Sequence, residues 1–398
     1  MPSNPMSGSN THLRIAWLLT SAFYYWHPTL SAFTKRFGQT TAFAANWRGY
    51  APGFENTFAV EVVGKRQVIS LKSQVTGYRP SFTYLPLGIV KRLLQFRPQV
   101  VFSNSFGMWT LLALLCQPWG QWRTVIAYEG SSPSVDYRNA PVRLALRRAM
   151  VRAAHACITN SQAGKDYLID VLQTPPERVF LHPYEVPGTQ SFTKANLPLE
   201  TSAPVFLFVG GLIPRKGLNF LLQACSQLQQ QGYRDYTLLI VGDGEQRGDL
   251  ETFTNNHGLD GQVRWVGKVP YQELGPYFHC ADVLVLPTLE DTWGMVVLEA
   301  MAVGKAVLVS QYAGACELVT DGENGYRFDP YHPQQLASLM ANFIQNRELA
   351  AMMGNKSQQV MAQYTPQAAA EFLQDVTHFV LGDTNNHTIS YRDREEVA

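Results

Sequence analysis

The chain has 398 residues, 46% of them apolar and 16% charged, with a formal net charge of +1. A low charge with an ordinary apolar load excludes a disordered chain. The near-zero balance argues against a nucleic-acid binder, and the length predicts two or three domains.

Residues 1–12 read as a loose polar start. The apolar run Leu13–Leu19, interrupted by Arg14, is too short for a signal core and lacks a cleavage site. Short β-rich runs at Arg14–Leu19, Gln99–Phe102, Thr124–Tyr128, Ala156–Thr159 and Val179–Leu181 alternate with helical patterns at 28–37, 84–96, 107–117, 140–153 and 161–172, the last with Ser161 as its N-cap. The longest apolar stretch, Met108–Cys116, is far below the roughly 20 residues of a membrane span. In the 140–153 helix, Val142, Ala145, Leu146, Ala149 and Met150 form the expected core stripe. Leu144 and Val151 then face outward among Arg143, Arg147, Arg148 and Arg152. Such a face suits peripheral contact with an anionic membrane or a lipid-diphosphate acceptor; a solvated helix has the same pattern.

Residues 13–184 thus read as one α/β domain, and the Pro-, Ser- and Thr-rich stretch 185–204 as a linker. The alternation restarts with strands at Val205–Val209, Thr237–Val241, Val263–Val266, Asp282–Leu286 and Ala306–Ser310, giving a second domain over 205–365. Leu218, Leu221, Leu222, Cys225 and Leu228 make one helical face. Helices at 347–362 and 366–381 close the chain before a loose tail, 382–398. The fold class is α/β: two doubly wound, Rossmann-like parallel-sheet domains facing across a cleft at their strands' carboxyl ends. The five cysteines, 116, 157, 225, 280 and 316, include no C-x-x-C pair, and the nine histidines are scattered. A disulfide framework and a metal site are therefore not expected; reduced, mostly buried thiols and a cytoplasmic location are.

Four segments carry chemistry. In PTLEDTWGMVVLEAMAVGKAVLVS (287–310), a strand ends at Pro287, a polar turn holds Glu290, Asp291 and Thr292, and Trp293-Gly294-Met295 opens a helix bearing Glu299. Two carboxylates beside a helix N-terminus suit a nucleotide-sugar, with its diphosphate on the free N–H groups. The same spacing also fits a capping Asp291 or Thr292 with a surface Glu299. In FVGGLIPRKGLNFLLQA (208–224), Arg215 and Lys216 follow a strand and the glycines Gly210 and Gly211. They suit a diphosphate leaving group, or are two solvated turn residues. In LLIVGDGEQ (238–246), Gly242 and Gly244 mark a tight turn. Arg247 stands where the dinucleotide fingerprint needs its last Gly, which disfavours a dehydrogenase. The fourth segment, 310–328, places Ala313 and Gly314 before Glu317.

In this order, residues 204–330 resemble the donor domain of the retaining GT-B glycosyltransferases of the group 1 or family 4 class. The matching residues are Lys216-Gly217, Gly242 with Gly244, Asp291 with Glu299, Ala300-Met301 with Gly304, and Ala313-Gly314 with Glu317. Two positions depart from that pattern: Gly211 stands where the class carries Arg, and Asp291 where it carries Glu. The resemblance implies transfer of a sugar from a UDP- or GDP-sugar, without metal or other cofactor, to a saccharide or lipid-linked acceptor in polysaccharide or glycoconjugate synthesis, at the inner face of the membrane or in the cytoplasm. It implies donor binding by Gly210, Gly211, Arg215, Lys216, Gly242, Gly244, Asp291, Thr292, Trp293, Gly294, Met295 and Glu299, and catalytic roles for Arg215, Lys216 and Asp291. On the less similar amino-terminal half, Tyr25, Trp26 and His27 follow the first strand and are expected on the acceptor side. Glu129 ends a buried strand where the class often has His; it is expected at the reacting sugar or acceptor hydroxyl, or else caps a turn. A GT-B phosphorylase, a sugar-nucleotide epimerase and a catalytically silent nucleotide-sugar binder remain as alternatives.

Overall fold

The computed structural model describes residues 12–20, 23–70, 78, 81–188, 192 and 203–383. The expected loose start, most of the tail and most of the 185–204 linker lie outside the described residues. Two parallel sheets dominate. The amino-terminal sheet comprises β1 (Arg14–Leu19), β2 (Gln39–Ala44), β3 (Ala59–Val62), β6 (Val100–Asn104), β7 (Arg123–Tyr128), β8 (Ala156–Thr159) and β9 (Val179–Leu181). A separate antiparallel pair, β4 (Gln67–Ser70) and β5 (Ser81–Tyr84), stands between β3 and β6 in the chain. The carboxy-terminal sheet comprises β10 (Val205–Val209), β11 (Thr237–Val241), β12 (Val263–Gly267), β13 (Val283–Leu286), β14 (Ala306–Ser310) and β15 (Gly325–Phe328). The strand orders are β3-β2-β1-β6-β7-β8-β9 and β12-β11-β10-β13-β14-β15. Each order reverses direction beside its first strand, and that reversal opens a crevice at the strands' carboxyl ends.

The central strands are continuous apolar runs because helices cover both faces. Ile15–Leu19 and Val283–Leu286 are essentially inaccessible to water. β2, β3 and β15 were not expected from the sequence: QTTAFA, AVEV and GYRF lack the aliphatic density of the central strands and sit towards the sheet edges. The 84–96 helix begins later, at Ile89, after β5 ends at Tyr84. The 161–172 helix is a short α-helix, Gln162–Asp166, continued by a π-helical turn to Val171; Ser161 caps it, its Oγ accepting from the Gly164 N–H at 3.1 Å. The supposed linker starts as core: Glu185 is 2% exposed and Val186 is fully buried. The final helix, Pro366–Leu381, packs on the amino-terminal helix His27–Arg36, where Arg36 meets Glu371 at 3.4 Å. One apolar cluster therefore runs from Trp17 and Phe33 through Tyr184 to Trp293 and Val297, spanning both sheets. Of the cysteines, 157 and 225 are buried and the other three are half-buried, all as free thiols. Among the described residues no helix is long and apolar enough to cross a membrane.

The helix Pro141–Ala153 is rotated from the expected orientation. Its inward face carries Leu144, Arg147, Met150 and Val151, while Val142 is 81% and Leu146 is 46% exposed. The cause is Arg147. Its Nη1 donates to the Asp136 carbonyl at 3.2 Å and to Tyr167 Oη at 2.9 Å, and its guanidinium lies 4.8 Å from the Phe106 ring centre and 5.0 Å from that of Tyr137. A planar, delocalised cation can be buried this way when carbonyls and aromatic faces replace its water. Arg147→Ala is expected to destabilise the fold by about 3 kcal/mol, because it empties the space between Phe106, Tyr137 and Tyr167 and removes two buried hydrogen bonds, although Tyr167 Oη still donates to the Asp136 carbonyl at 2.6 Å. Arg143→Ala, on the exposed face, should move thermal unfolding far less. Equal melting temperatures for the two variants would contradict this orientation.

Candidate active site

The site is built from turns at the carboxyl ends of β10, β11, β13 and β14. After β10, the chain passes Gly210 and Gly211 into the 3-10 turn Pro214–Lys216 and leaves through Gly217 at φ +64°. A Cβ on Gly217 would lie 2.1 Å from the Pro287 carbonyl oxygen, so only glycine lets this turn sit against the end of β13. Leu289 N–H and Thr288 Oγ1 both donate to the Arg215 carbonyl, at 2.8 and 3.0 Å. The side chains follow: Lys216 Nζ lies 2.5 Å from Asp291 Oδ2, and Arg215 Nη1 lies 3.6 Å from the same oxygen and donates to the Glu290 carbonyl at 2.6 Å. Burial alone would raise the Asp291 carboxyl, but Lys216 and Arg215 together outweigh it and hold the group below its usual value.

Gly294, at φ +100°, turns the chain into the helix Met295–Ala302, whose first turn has N–H groups without intrahelical partners. Glu299, one turn in, is not on the surface: it is 4% exposed. Burial pushes its carboxyl up to about 7, partly offset by the hydrogen bond from the Tyr271 hydroxyl. Trp293 is buried too, and its Nε1 donates to the Glu185 carbonyl at 3.3 Å; its side chain joins the two sheets and offers no face to a ligand. Gly242 and Gly244 are required by packing between turns. A Cβ on either would come within 1.8 Å of Gly210 O or 2.4 Å of Leu212 O. Gly211 has open space around it and is exposed.

The amino-terminal domain closes the site. A Cβ on Gly130 would be 2.1 Å from the Thr292 carbonyl oxygen, so the end of β7 touches the donor-side turn backbone to backbone. Glu290 accepts from Ser134 N–H at 2.8 Å and Ser134 Oγ at 2.6 Å, at the start of the short helix Pro133–Asp136. Glu317 accepts from the N–H groups of Gln162 and Ala163, at 2.8 and 3.2 Å, at the start of Gln162–Asp166. Each carboxylate thus satisfies free helix N–H groups of the opposite domain. Tyr78 lies in none of the elements expected from the sequence. Its ring stacks 4.0 Å from the Arg215 guanidinium, its hydroxyl is 3.4 Å from Asp291 Oδ1, and burial pushes that hydroxyl up to about 12.

Two of the cavities between the domains border residues expected at the site. One, of about 710 Å³, is lined by 131–134 and 136–140 on one side and by Glu290, Asp291, Tyr312 and Gly314 on the other. The other, of about 490 Å³, lies between Phe23, Tyr24, Tyr25 and Arg48 and the Lys268–Gln272 loop. Tyr25 therefore faces a cavity. Trp26 and His27 do not: both are fully buried. Trp26 packs 5.3 Å from Trp17, and His27 Nδ1 accepts from the Ala51 N–H at 3.0 Å. Among the described residues no three His, Cys, Asp or Glu are grouped to hold a metal ion.

Glu129 is half-buried at the end of β7, where Asn104 Nδ2 donates to its Oε1 at 2.9 Å. Glu185 adjoins it, taking a hydrogen bond from Asn160 Nδ2 at 3.1 Å. Burial raises both carboxyls; the Glu129 charge pushes Glu185 well above its usual value, whereas hydrogen bonds from Asn104 and Glu185 hold Glu129 back, so Glu185 is the acid that keeps the proton in their shared hydrogen bond. The unfolded chain gives up both protons near pH 4.5. The stability that the retained proton confers at low pH is therefore lost as pH rises from 4.5 through the pair's folded value. Glu185→Gln supplies an amide donor in place of that proton. A chemical-denaturation series from pH 5 to 8 should show a shallower slope for this variant; an unchanged slope would refute the shared proton.

Residues 189–360 match the family "Glycosyl transferases group 1" and residues 32–183 match "Glycosyltransferase Family 4". The chain is 25% identical over 244 residues to the alpha-D-kanosaminyltransferase of Streptomyces kanamyceticus, covering 58% of this chain and 62% of that one. It is 32% identical over 184 residues to the 2-deoxystreptamine glucosyltransferase of the same organism, covering 44% and 46%. The match thus spans about half the length of these relatives. The fold is similar to that of Anabaena HepE in complex with UDP, with a TM-score of 0.71 at 18% identity, over 91% of this chain and 99% of that one. Two Rossmann-like lobes, each matched in chain order by one of these families, give the chain a GT-B fold related to the group 1 and family 4 glycosyltransferases.

Proposed function

We propose that this protein transfers a sugar from a nucleotide-diphosphate donor to a saccharide or lipid-linked acceptor, with retention at the anomeric carbon and without a metal. The observation that carries this reading is the pair of cations, Arg215 and Lys216, held at one buried carboxylate beside a helix N-terminus. An arriving diphosphate competes with Asp291 for both cations and takes the free N–H groups behind Gly294. Glu299, ionised, accepts hydrogen bonds from the ribose hydroxyls. Asp291, released from Lys216, is placed for the sugar hydroxyls.

In the transfer, the bond from the anomeric carbon to the diphosphate breaks as the bond to the acceptor oxygen forms. The acceptor's proton passes to a diphosphate oxygen, so no separate strong base is required. Charge growing on the leaving diphosphate is met by Lys216, Arg215 and the helix start, already in place and shielded from water. Glu129 lies across the cleft for the reacting sugar or the acceptor hydroxyl. UDP is the first donor nucleotide to test, since HepE was solved with UDP; a GDP-sugar is the next. The work is placed in the cytoplasm.

Incubation with UDP-, GDP- and ADP-sugars, with and without extracts of the source cell, should release nucleoside diphosphate from one donor. Release from none would overturn the reading. Binding without turnover would make the protein a silent nucleotide-sugar binder, and an epimerised donor by NMR would make it an epimerase. NMR of the product should show the donor's anomeric configuration; the inverted anomer would refute retention. Lys216→Ala should lower kcat by about 10²- to 10³-fold. Glu299→Ala should weaken UDP binding by roughly tenfold or more. Because burial lifts Glu299 to about 7, calorimetry with a UDP-sugar, whose diphosphate has no ionisation near that pH, should find affinity falling as pH drops below about 7. Glu299→Gln should remove that dependence; a variant that keeps it would exclude Glu299 as its source.

A further inference from the structure

The helices Ile89–Phe96, Met108–Gly120 and Pro141–Ala153 lie side by side over one face of the amino-terminal sheet. Leu93 and Trp109 seal the first pair onto it, and Leu114 and Met150 the second. Their outward faces are unusually apolar: Leu94 is 43%, Leu115 58%, Trp119 78%, Val142 81% and Leu146 46% exposed, and Leu87, in the turn before the first helix, is 58% exposed. Scattered single apolar residues on a surface need no explanation, but here three adjacent helices each contribute. The same helices hold no Asp or Glu; of their six Lys or Arg, Arg147 is buried and Arg92 is paired with Glu61 at 2.9 Å, which leaves Lys91, Arg143, Arg148 and Arg152 in a protein whose net charge is only +1. Lys91, Arg143 and Arg152 are exposed, and Arg97 and Arg123 extend the basic character at the helices' far ends.

We propose that this three-helix layer docks on an anionic phospholipid bilayer. Exposed aliphatics and a tryptophan enter the headgroup–acyl boundary, where an amphipathic indole is favoured, and each basic side chain near an anionic surface adds attraction that salt screens. Charge selects the occupant. A second copy meeting this layer face to face would set arginines against arginines, whereas an anionic surface neutralises them. The membrane-facing side chains differ from those expected from the sequence: Leu144 and Val151 point inward, and Val142 and Leu146 replace them. Docking also positions the cleft. The rim Tyr137–Ala140 of the 710 Å³ cavity leads directly into Val142, so the cavity mouth comes to headgroup level. That consequence, a membrane-borne acceptor, rests on the transferase reading; the docking does not.

The test is flotation of the full chain with vesicles of phosphatidylglycerol and phosphatidylcholine, against vesicles of phosphatidylcholine alone. Most of the protein should float with the anionic vesicles and little with the neutral ones, and raised salt should reduce the bound fraction. Trp119→Glu combined with Val142→Glu should lower binding at least tenfold, as should Lys91→Ala with Arg143→Ala and Arg152→Ala. All five positions are exposed, so thermal melting should stay within a few degrees of wild type and confirm folded variants. Equal flotation of wild type and variants would overturn the proposal, and so would wild type that stays unbound. So would failure to float together with a dimer in light scattering that Val142→Glu dissolves, which would assign the face to a second copy. UDP release without vesicle binding would remove the docking surface alone; vesicle binding without release from any donor would remove the transferase reading alone.

Discussion

A carboxylate taken out of water must be paired, and Asp291 is the point at which the donor-side turns answer that demand. Lys216 and Arg215 reach it from a turn that could not approach β13 if Gly217 carried a side chain. Backbone bonds from Leu289 and Thr288 to Arg215 hold the same two segments together. The two cations most suited to a diphosphate are therefore positioned by a buried charge that belongs to the fold, not by their own flexible stems. In the reaction proposed above, a diphosphate would compete with Asp291 for these cations, since it carries more negative charge than one carboxylate.

The second constraint is the contact between domains. It is a mixture of apolar packing around Trp293 and polar contacts in which carboxylates of one domain satisfy helix N–H groups of the other. Such contacts can exchange with water more readily than a purely apolar seam. Glu129 and Glu185 lie in the same junction, where the low dielectric that makes ion pairs strong also keeps one proton on a pair of acids.

Arg147 explains why the outer layer of the amino-terminal domain was misread. Hydropathy places an arginine outside and a valine or leucine inside. Here a guanidinium enclosed by Phe106, Tyr137 and Tyr167 is the buried group, and Val142 and Leu146 are left outside. The aromatic residues after β1 show the opposite error. Trp26 and His27 follow a strand end, where ligands are often met, yet the helix that begins at His27 turns both rings into the core.

The parallel α/β architecture, the central strands and the order of the donor-side motifs were legible in the amino-acid sequence. Apolar runs destined for burial on both faces, and glycines demanded by tight turns, are local signals that need no knowledge of neighbours. The edge strands β3 and β15, and β2 beside β3, were not legible, because positions at or next to a sheet edge tolerate mixed, partly polar runs. Nor was any property that depends on who meets whom. The pairing of Lys216 with Asp291 spans 75 positions, Ser134 with Glu290 spans 156, and Tyr78 with Asp291 spans 213. Tertiary structure alone decided that Glu299 is buried and titrates near 7, that Glu129 shares a proton with Glu185, and which face of the Pro141–Ala153 helix meets solvent. Burial and the local field set ionisation and exposure, and both arise only when distant segments pack together.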